Sequence, residues 1–163
     1  MSATPGTSRS TETPDGGHPG VSHAVLLDTL WASMVSLYAD LTTAAAAHGL
    51  TYSQAKALNV LRQGPAPMRS LADTLRCDAS NITGIIDRLE ARGLVHREAS
   101  PTDRRVKNVI LSEEGAAVVA VVRDGMHATH RALGALSDDE RATLDDLLSR
   151  LFPADGDPSP KQV

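Results

Sequence analysis

Several kinds of residue and motif are scarce or missing in this chain of 163 residues, and each absence narrows what it can be. It has one cysteine, Cys77, so no disulfide can form within it. That suits a reducing compartment. Basic residues are not in excess: 16 Lys and Arg stand against 20 Asp and Glu, a net charge of −4. No apolar run approaches the length expected of a membrane span. The N-terminus lacks a basic segment followed by an apolar one, so no secretory signal is expected. A glycine-rich phosphate loop, a nucleophile elbow and a metal-site motif are all missing, which argues against an enzyme. The expectation is a cytoplasmic protein without cofactor or metal and without a membrane partner.

The charge that is present is unevenly spread. Between Arg62 and Lys107 nine Lys and Arg face six Asp and Glu, a local +3, which leaves −7 for the remainder. The length suffices for one domain with a sizeable core. Residues 1–20 are rich in Ser, Thr, Pro and Gly and bury too little to offset ordering entropy, so they read as a tail. Residues 153–163 read the same way.

From Val21 to Gly49, Leu27, Leu30, Met34, Leu37 and Leu41 recur at alternating spacings of three and four. This is a heptad seam on a helix roughly 40 Å long, a length suited to dimerisation. Thr51 and Gln54 form a capping box for the next helix, which Gly64-Pro65-Ala66-Pro67 ends. Ser112 opens a later helix with Val118, Val119, Val121 and Val122 nearly all round it, which predicts burial, with Gly125 bending its middle. A second capping box, Ser137 to Glu140, starts the last helix, with Leu144, Leu147, Leu148 and Leu151 as its buried stripe.

The middle of the chain carries the chemistry. A short helix over Ser70–Leu75 is followed by a turn at Arg76-Cys77-Asp78. A longer helix then runs from Ala79 to Arg92. Ile82, Ile85, Ile86 and Leu89 share its buried face. Asp78 is placed as N-cap and Gly93 as the left-handed C-terminal stop. The other face opens with Ser80, Asn81, Thr83 and Gly84. Side chains of that size let a helix N-terminus approach base edges in a major groove. Arg88 and Arg92 are placed to reach phosphate. Two strands follow, Leu94–Glu98 and Val106–Leu111, joined by a polar link ending in Arg104 and Arg105. A helix-turn-helix followed by an arginine-tipped hairpin is a winged helix. The tip is shaped for the minor groove, where arginine is attracted by the narrow-groove potential.

The order and spacing of these residues resemble the MarR family of bacterial transcriptional regulators. The likeness runs through Leu50-Thr51, Gln54, Ala57-Leu58, Leu71-Ala72, Ser80, Thr83, Asp87-Arg88-Leu89-Glu90, Gly93-Leu94-Val95, Arg97, Asp103-Arg104-Arg105, Leu111-Ser112 and Gly115. It implies a mainly α fold with a small β-hairpin wing. Residues 21–152 would be one domain, with dimerisation helices at 21–49 and 112–152 and a DNA-binding lobe at 51–111. It implies a homodimer that binds double-stranded DNA at a pseudo-palindromic operator, as a ligand-responsive repressor. Arg105 would enter the minor groove, oriented by Asp103. Arg104 would touch phosphate or form an internal ion pair. A phenolic or aromatic-acid effector would lie near Trp31, Met34 and Tyr38. At the position of Gly84 relatives often carry a longer side chain, so base preference does not transfer. Two alternatives stand beside this reading. One is a winged-helix protein-interaction module without DNA binding. The other is a redox-sensing regulator using Cys77, although sensing cysteines in relatives generally sit near the first helix. His127 and His130 share a helix face without a convincing further ligand.

Overall fold

The computed structural model of the chain describes residues 20–101, 103 and 105–153. The tails expected at 1–20 and 153–163 fall almost wholly outside the described residues, as do Thr102 and Arg104. The described elements are α1 (His23–Ala46), α2 (Tyr52–Leu61), β1 (Ala66–Pro67), α3 (Met68–Leu75) and α4 (Ala79–Ala91), then β2 (Val95–Ala99), β3 (Lys107–Leu111), α5 (Glu113–Asp124), α6 (His127–Gly134) and α7 (Asp138–Leu151). This is the mainly helical winged architecture that the sequence implies. The chain divides into two compact units, residues 1–34 and 35–163.

Of the first unit the described part is a helical stretch. Ser22 opens it by accepting the Val25 amide at 3.4 Å. Thr29 and Ser33 donate back to carbonyls four residues earlier, so their hydroxyls are satisfied by their own helix. Most of its large apolar side chains are exposed, Leu27, Trp31 and Met34 among them, and Leu30 is half-buried.

The second unit holds the core. Leu58, Leu71, Ile82, Ile86, Leu89, Leu94 and Val109 are its largest fully buried side chains, each contributing roughly 1.5–3 kcal/mol on burial. They come from α2, α3, α4, the residue before β2, and β3. Ala44 and Ala45 of α1 and Val119 and Val122 of α5 complete the cluster. Both expected capping boxes are present, at Thr51–Gln54 and Ser137–Glu140. Gln54 is buried, and its side chain accepts the Thr51 amide at 2.9 Å.

Four local expectations change. Gly125 does not bend a continuous helix; it caps α5, and α6 starts afresh after Met126. Met126 offers no side-chain cap. Asp40 of α1 does the work instead, accepting the Thr129 amide at 2.8 Å and its hydroxyl at 2.7 Å. These two bonds, the hydroxyl first, hold the Asp40 carboxyl below its usual range. The valines of α5 are not buried all round: Val121 is exposed, because the core covers only the Val119–Val122 side. The leucine stripe of α7 is likewise uncovered, with Leu147, Leu148 and Leu151 exposed and no α7 residue buried. The sheet has a third strand, because β1 pairs antiparallel with β3 through Ala66↔Val109 and Pro67↔Asn108. A two-residue strand with a proline carries no alternation that a sequence reading can detect.

A fifth difference concerns length. At 24 residues, α1 is long and apolar enough by those measures to cross a membrane, contrary to the sequence expectation. Its apolar character is diluted by Ala and Thr, so no unbroken run stands out. Length and composition are weak grounds here. Asp28 and Asp40 interrupt its apolar sequence, and Asp40 is bonded to α6.

Candidate nucleic-acid interface

Helix α4 is fixed at both ends by its own sequence. Asp78 has extended backbone and accepts the Asn81 amide at 2.7 Å. It also accepts the Ser80 hydroxyl at 2.7 Å. The hydroxyl first, and then the amide, lower its pKa from the ordinary carboxylate value. At the other end Gly93 has φ +71°, a conformation that glycine takes at little cost. The Leu94 amide reaches back to Leu89 O at 3.0 Å and the Gly93 amide to Glu90 O at 2.9 Å. This doubly bonded stop turns the chain abruptly into β2. In the preceding turn Arg76, not a glycine, is left-handed with φ 55°. Its neighbour Cys77 is half-buried and packs against the core.

With Ile82, Ile85, Ile86 and Leu89 buried, α4 turns Ser80, Asn81, Thr83 and Arg88 outward. Ser80 is held by Asp78, and the Thr83 hydroxyl donates to Ala79 O at 2.7 Å. The side chains of Asn81 and Arg88 have no partner among the described residues. Gly84 faces open space: a Cβ built on it meets nothing within 4 Å.

Arg92, expected at phosphate, is engaged inside the molecule. It donates to Gly49 O at 2.8 Å and His48 O at 3.1 Å, which ties the end of α4 to the α1–α2 turn.

The wing is a β2–β3 hairpin in register from Val95↔Leu111 to Ala99↔Lys107. Ser100 N donates to Val106 O at 2.8 Å and closes the tip. Within it the Asp103 carboxylate accepts the backbone amide of Arg105 at 2.9 Å. Asp103 therefore shapes the turn through the backbone of Arg105. The Arg105 side chain is exposed and has no partner among the described residues. Arg104 lies outside them.

One group was named in the sequence without a role. Arg97 donates through its guanidinium to Glu90 Oε2 and to Asp87 Oδ1, the latter at 2.7 Å, and its amide donates to Glu90 Oε1 at 3.2 Å. The signal lay in the strand pattern. Arg97 alternates with His96 onto the inward side that Val95 occupies, and a charge there needs a partner.

Away from this face, Tyr38 packs on Tyr52 with ring centroids 4.4 Å apart. A mostly apolar cavity of about 200 Å³ is lined by Leu37, Leu41, Leu58, Val119 and Met126 among others, with Arg123 and Asn59 as its polar members. Arg123 donates to Asn59 Oδ1 at 3.1 Å. Trp31, Met34 and Tyr38 are not in that lining. Among the described residues no cluster of His, Cys, Asp or Glu is placed to hold a metal ion, and His130 is bonded to Arg123 O.

A family model described as "MarR family" matches residues 50–107, which span α2 through the start of β3. A candidate transcriptional regulatory protein for the hcr operon of Thauera aromatica is 34% identical over 102 residues, 61% of this chain and 61% of that protein. The match thus spans less than two thirds of that relative. The HTH-type transcriptional repressor NicR of Pseudomonas putida is 34% identical over 108 residues, 65% of this chain and 68% of the repressor. Among solved structures, CouR from Rhodococcus jostii bound to p-coumaroyl-CoA is 29% identical. The likeness has a TM-score of 0.62 and covers 80% of this chain and 92% of that one.

Proposed function

The chain belongs to the MarR family of winged helix-turn-helix transcriptional regulators, and from that premise we propose that it binds double-stranded DNA as a homodimer and acts as a ligand-responsive repressor. The observation that carries the reading is the outward face of α4. It presents Ser80, Asn81, Thr83 and Arg88 and buries every large apolar side chain of the helix. Asn81 offers a bidentate amide to a base edge, and Arg88 reaches phosphate. Arg105, exposed at the wing tip and assisted by Arg104, enters the minor groove. Asp103 supports it by holding the tip turn.

Dimerisation is supported by exposed apolar faces, on α1 at Leu27, Trp31 and Met34 and on α7 at Leu147, Leu148 and Leu151. Such surface is more than a lone soluble chain commonly leaves open. On this reading 21–49 and 112–152 join the subunits, and 51–111 is the DNA lobe. Two α4 helices then enter successive major grooves of a pseudo-palindromic site about one turn apart. The chromosome as target makes the protein cytoplasmic.

For the effector, the cavity lined by Leu37 and Leu41 fits a small aromatic ring, and Arg123 fits its carboxylate. CouR, bound to p-coumaroyl-CoA, carries an aromatic acyl ligand. Tyr38 and its partner Tyr52 lie on α1 and α2, two of the three helices that line this cavity. An effector lowers DNA affinity if it binds better to a dimer whose α4 helices are wrongly spaced.

The test is selection of bound duplexes from a random DNA pool, followed by titration at several salt concentrations. A palindromic consensus and steeply salt-dependent affinity are expected. A pool that shows no enrichment at low ionic strength removes the proposal.

A further inference from the structure

Leu94, Val95 and Val109 bury the base of the wing in the core, but towards the tip polar anchors to α4 are few. The link itself is the Gly93–Leu94 turn, and β1 adds only two paired positions to β3. Past that turn, Arg97 makes the side-chain bonds from β2 to α4 that are present among the described residues. It stands two residues before Ala99, where β2 ends. Its guanidinium spans two carboxylates one helical turn apart, and its own amide adds a third bond. A planar fork held at both prongs resists rotation in a way that a single bond cannot. The site is also partly covered, since the Arg97 side chain is 21% exposed.

Resting on the DNA-binding reading above, we propose that Arg97 is a positioning residue for DNA binding. By clasping Asp87 and Glu90 it fixes the angle between α4 and the wing. Arg105 therefore arrives in the minor groove while α4 sits in the major groove, and the two act as one rigid body. Without the clasp the wing still exists, but its arginine must lose orientational freedom on binding and contributes little. The role is distinct from charge compensation. Removing the two carboxylates takes two negative charges away from the DNA side, which by charge alone tightens binding.

The experiment is a double-mutant cycle read by fluorescence anisotropy, using the duplex that the wild-type protein selects from a random pool. Arg105→Ala is measured in the wild type, in Arg97→Met, and in the Asp87→Asn/Glu90→Gln double variant. It should weaken binding roughly tenfold in the wild type and less than about threefold in either background without the clasp. A mere loss of stability does not alter the cost of Arg105→Ala among folded molecules. If circular dichroism shows Arg97→Met unfolded, the carboxylate variant, altered only at the solvent-accessible acids, carries the cycle. An equal cost of Arg105→Ala in all backgrounds overturns the proposal, and so does no cost in the wild type. If the wild type selects no duplex, this inference falls together with the function; if it binds and the costs simply multiply, only the clasp falls.

Discussion

At the residue scale, small positions decide large matters. Gly115 is needed for space: a Cβ there would lie 2.0 Å from Leu94 O and 2.8 Å from Leu111 Cδ1. Ser112, the cap of α5, donates its amide to the same Leu94 carbonyl at 3.1 Å, so the wing base and α5 meet at this point. Gly115→Ala is expected to destabilise the fold by about 1–3 kcal/mol or more, read as a lower urea midpoint with an unchanged slope. Asp78 gives a pH signature. Its carboxyl is held low in the folded chain by Ser80 and Asn81, so the stability it confers is full above the unfolded pKa. That stability is lost as pH falls from about 4 through the lower folded value. Asp78→Asn keeps a good cap and loses this titration. Acid melting curves of the two proteins should therefore converge at low pH and separate above about pH 4. Arg92 and Arg97 show where single-residue reading stops. Both are arginines beside the helix proposed to face DNA, yet the fold brings carbonyls to one and carboxylates to the other.

At the element scale, α4 was almost wholly legible. Its cap, its buried stripe and its glycine stop are all local features, and each depends on backbone geometry within a few residues. The same is true of the two capping boxes and of the β2–β3 hairpin. Gly84 is the weak point of α4, since glycine in a helix interior costs up to ~1 kcal/mol relative to alanine. Because the site is open, Gly84→Ala should raise stability by about that amount in chemical denaturation. Gly84→Lys, placed on the same outward face, should strengthen binding to any duplex. It should also steepen the dependence of log affinity on log salt by about one. A salt slope unchanged by the lysine places this face away from phosphate. Elements whose reason is tertiary were not legible. β1 exists because β3 lies beside it, and α6 begins where it does because Asp40 caps it from another helix.

At the scale of the whole molecule, the apolar periodicity of α1 and α7 was seen in the sequence, but Leu27, Trp31 and Met34 of the one and Leu147, Leu148 and Leu151 of the other are exposed. The stripe Leu144, Leu147, Leu148 and Leu151 was expected inside, and Leu151 is instead 60% exposed. A hydrophobic period tells that a face seeks cover, not which molecule supplies it. On the dimer reading, sedimentation at micromolar concentration should give twice the 17.2 kDa chain mass. The Leu148→Glu/Leu151→Glu variant should sediment as a folded monomer and, having lost the second half-site, bind the selected duplex at least about tenfold more weakly. A monomeric wild type ends the two-fold account.

By itself, then, the sequence determined the helix ends, the buried face of α4 and the hairpin behind it. These follow from caps, turns and periods that act over three to seven residues. It also determined the family, through residues spread from Leu50 to Lys107. Only the tertiary structure decided which arginines are spoken for and which, among the described residues, stand free. The partners of Arg92 lie 43 and 44 residues away, and those of Arg97 come from a different element across a turn. No local rule reaches that far, because a charge is satisfied by whatever the completed fold sets beside it.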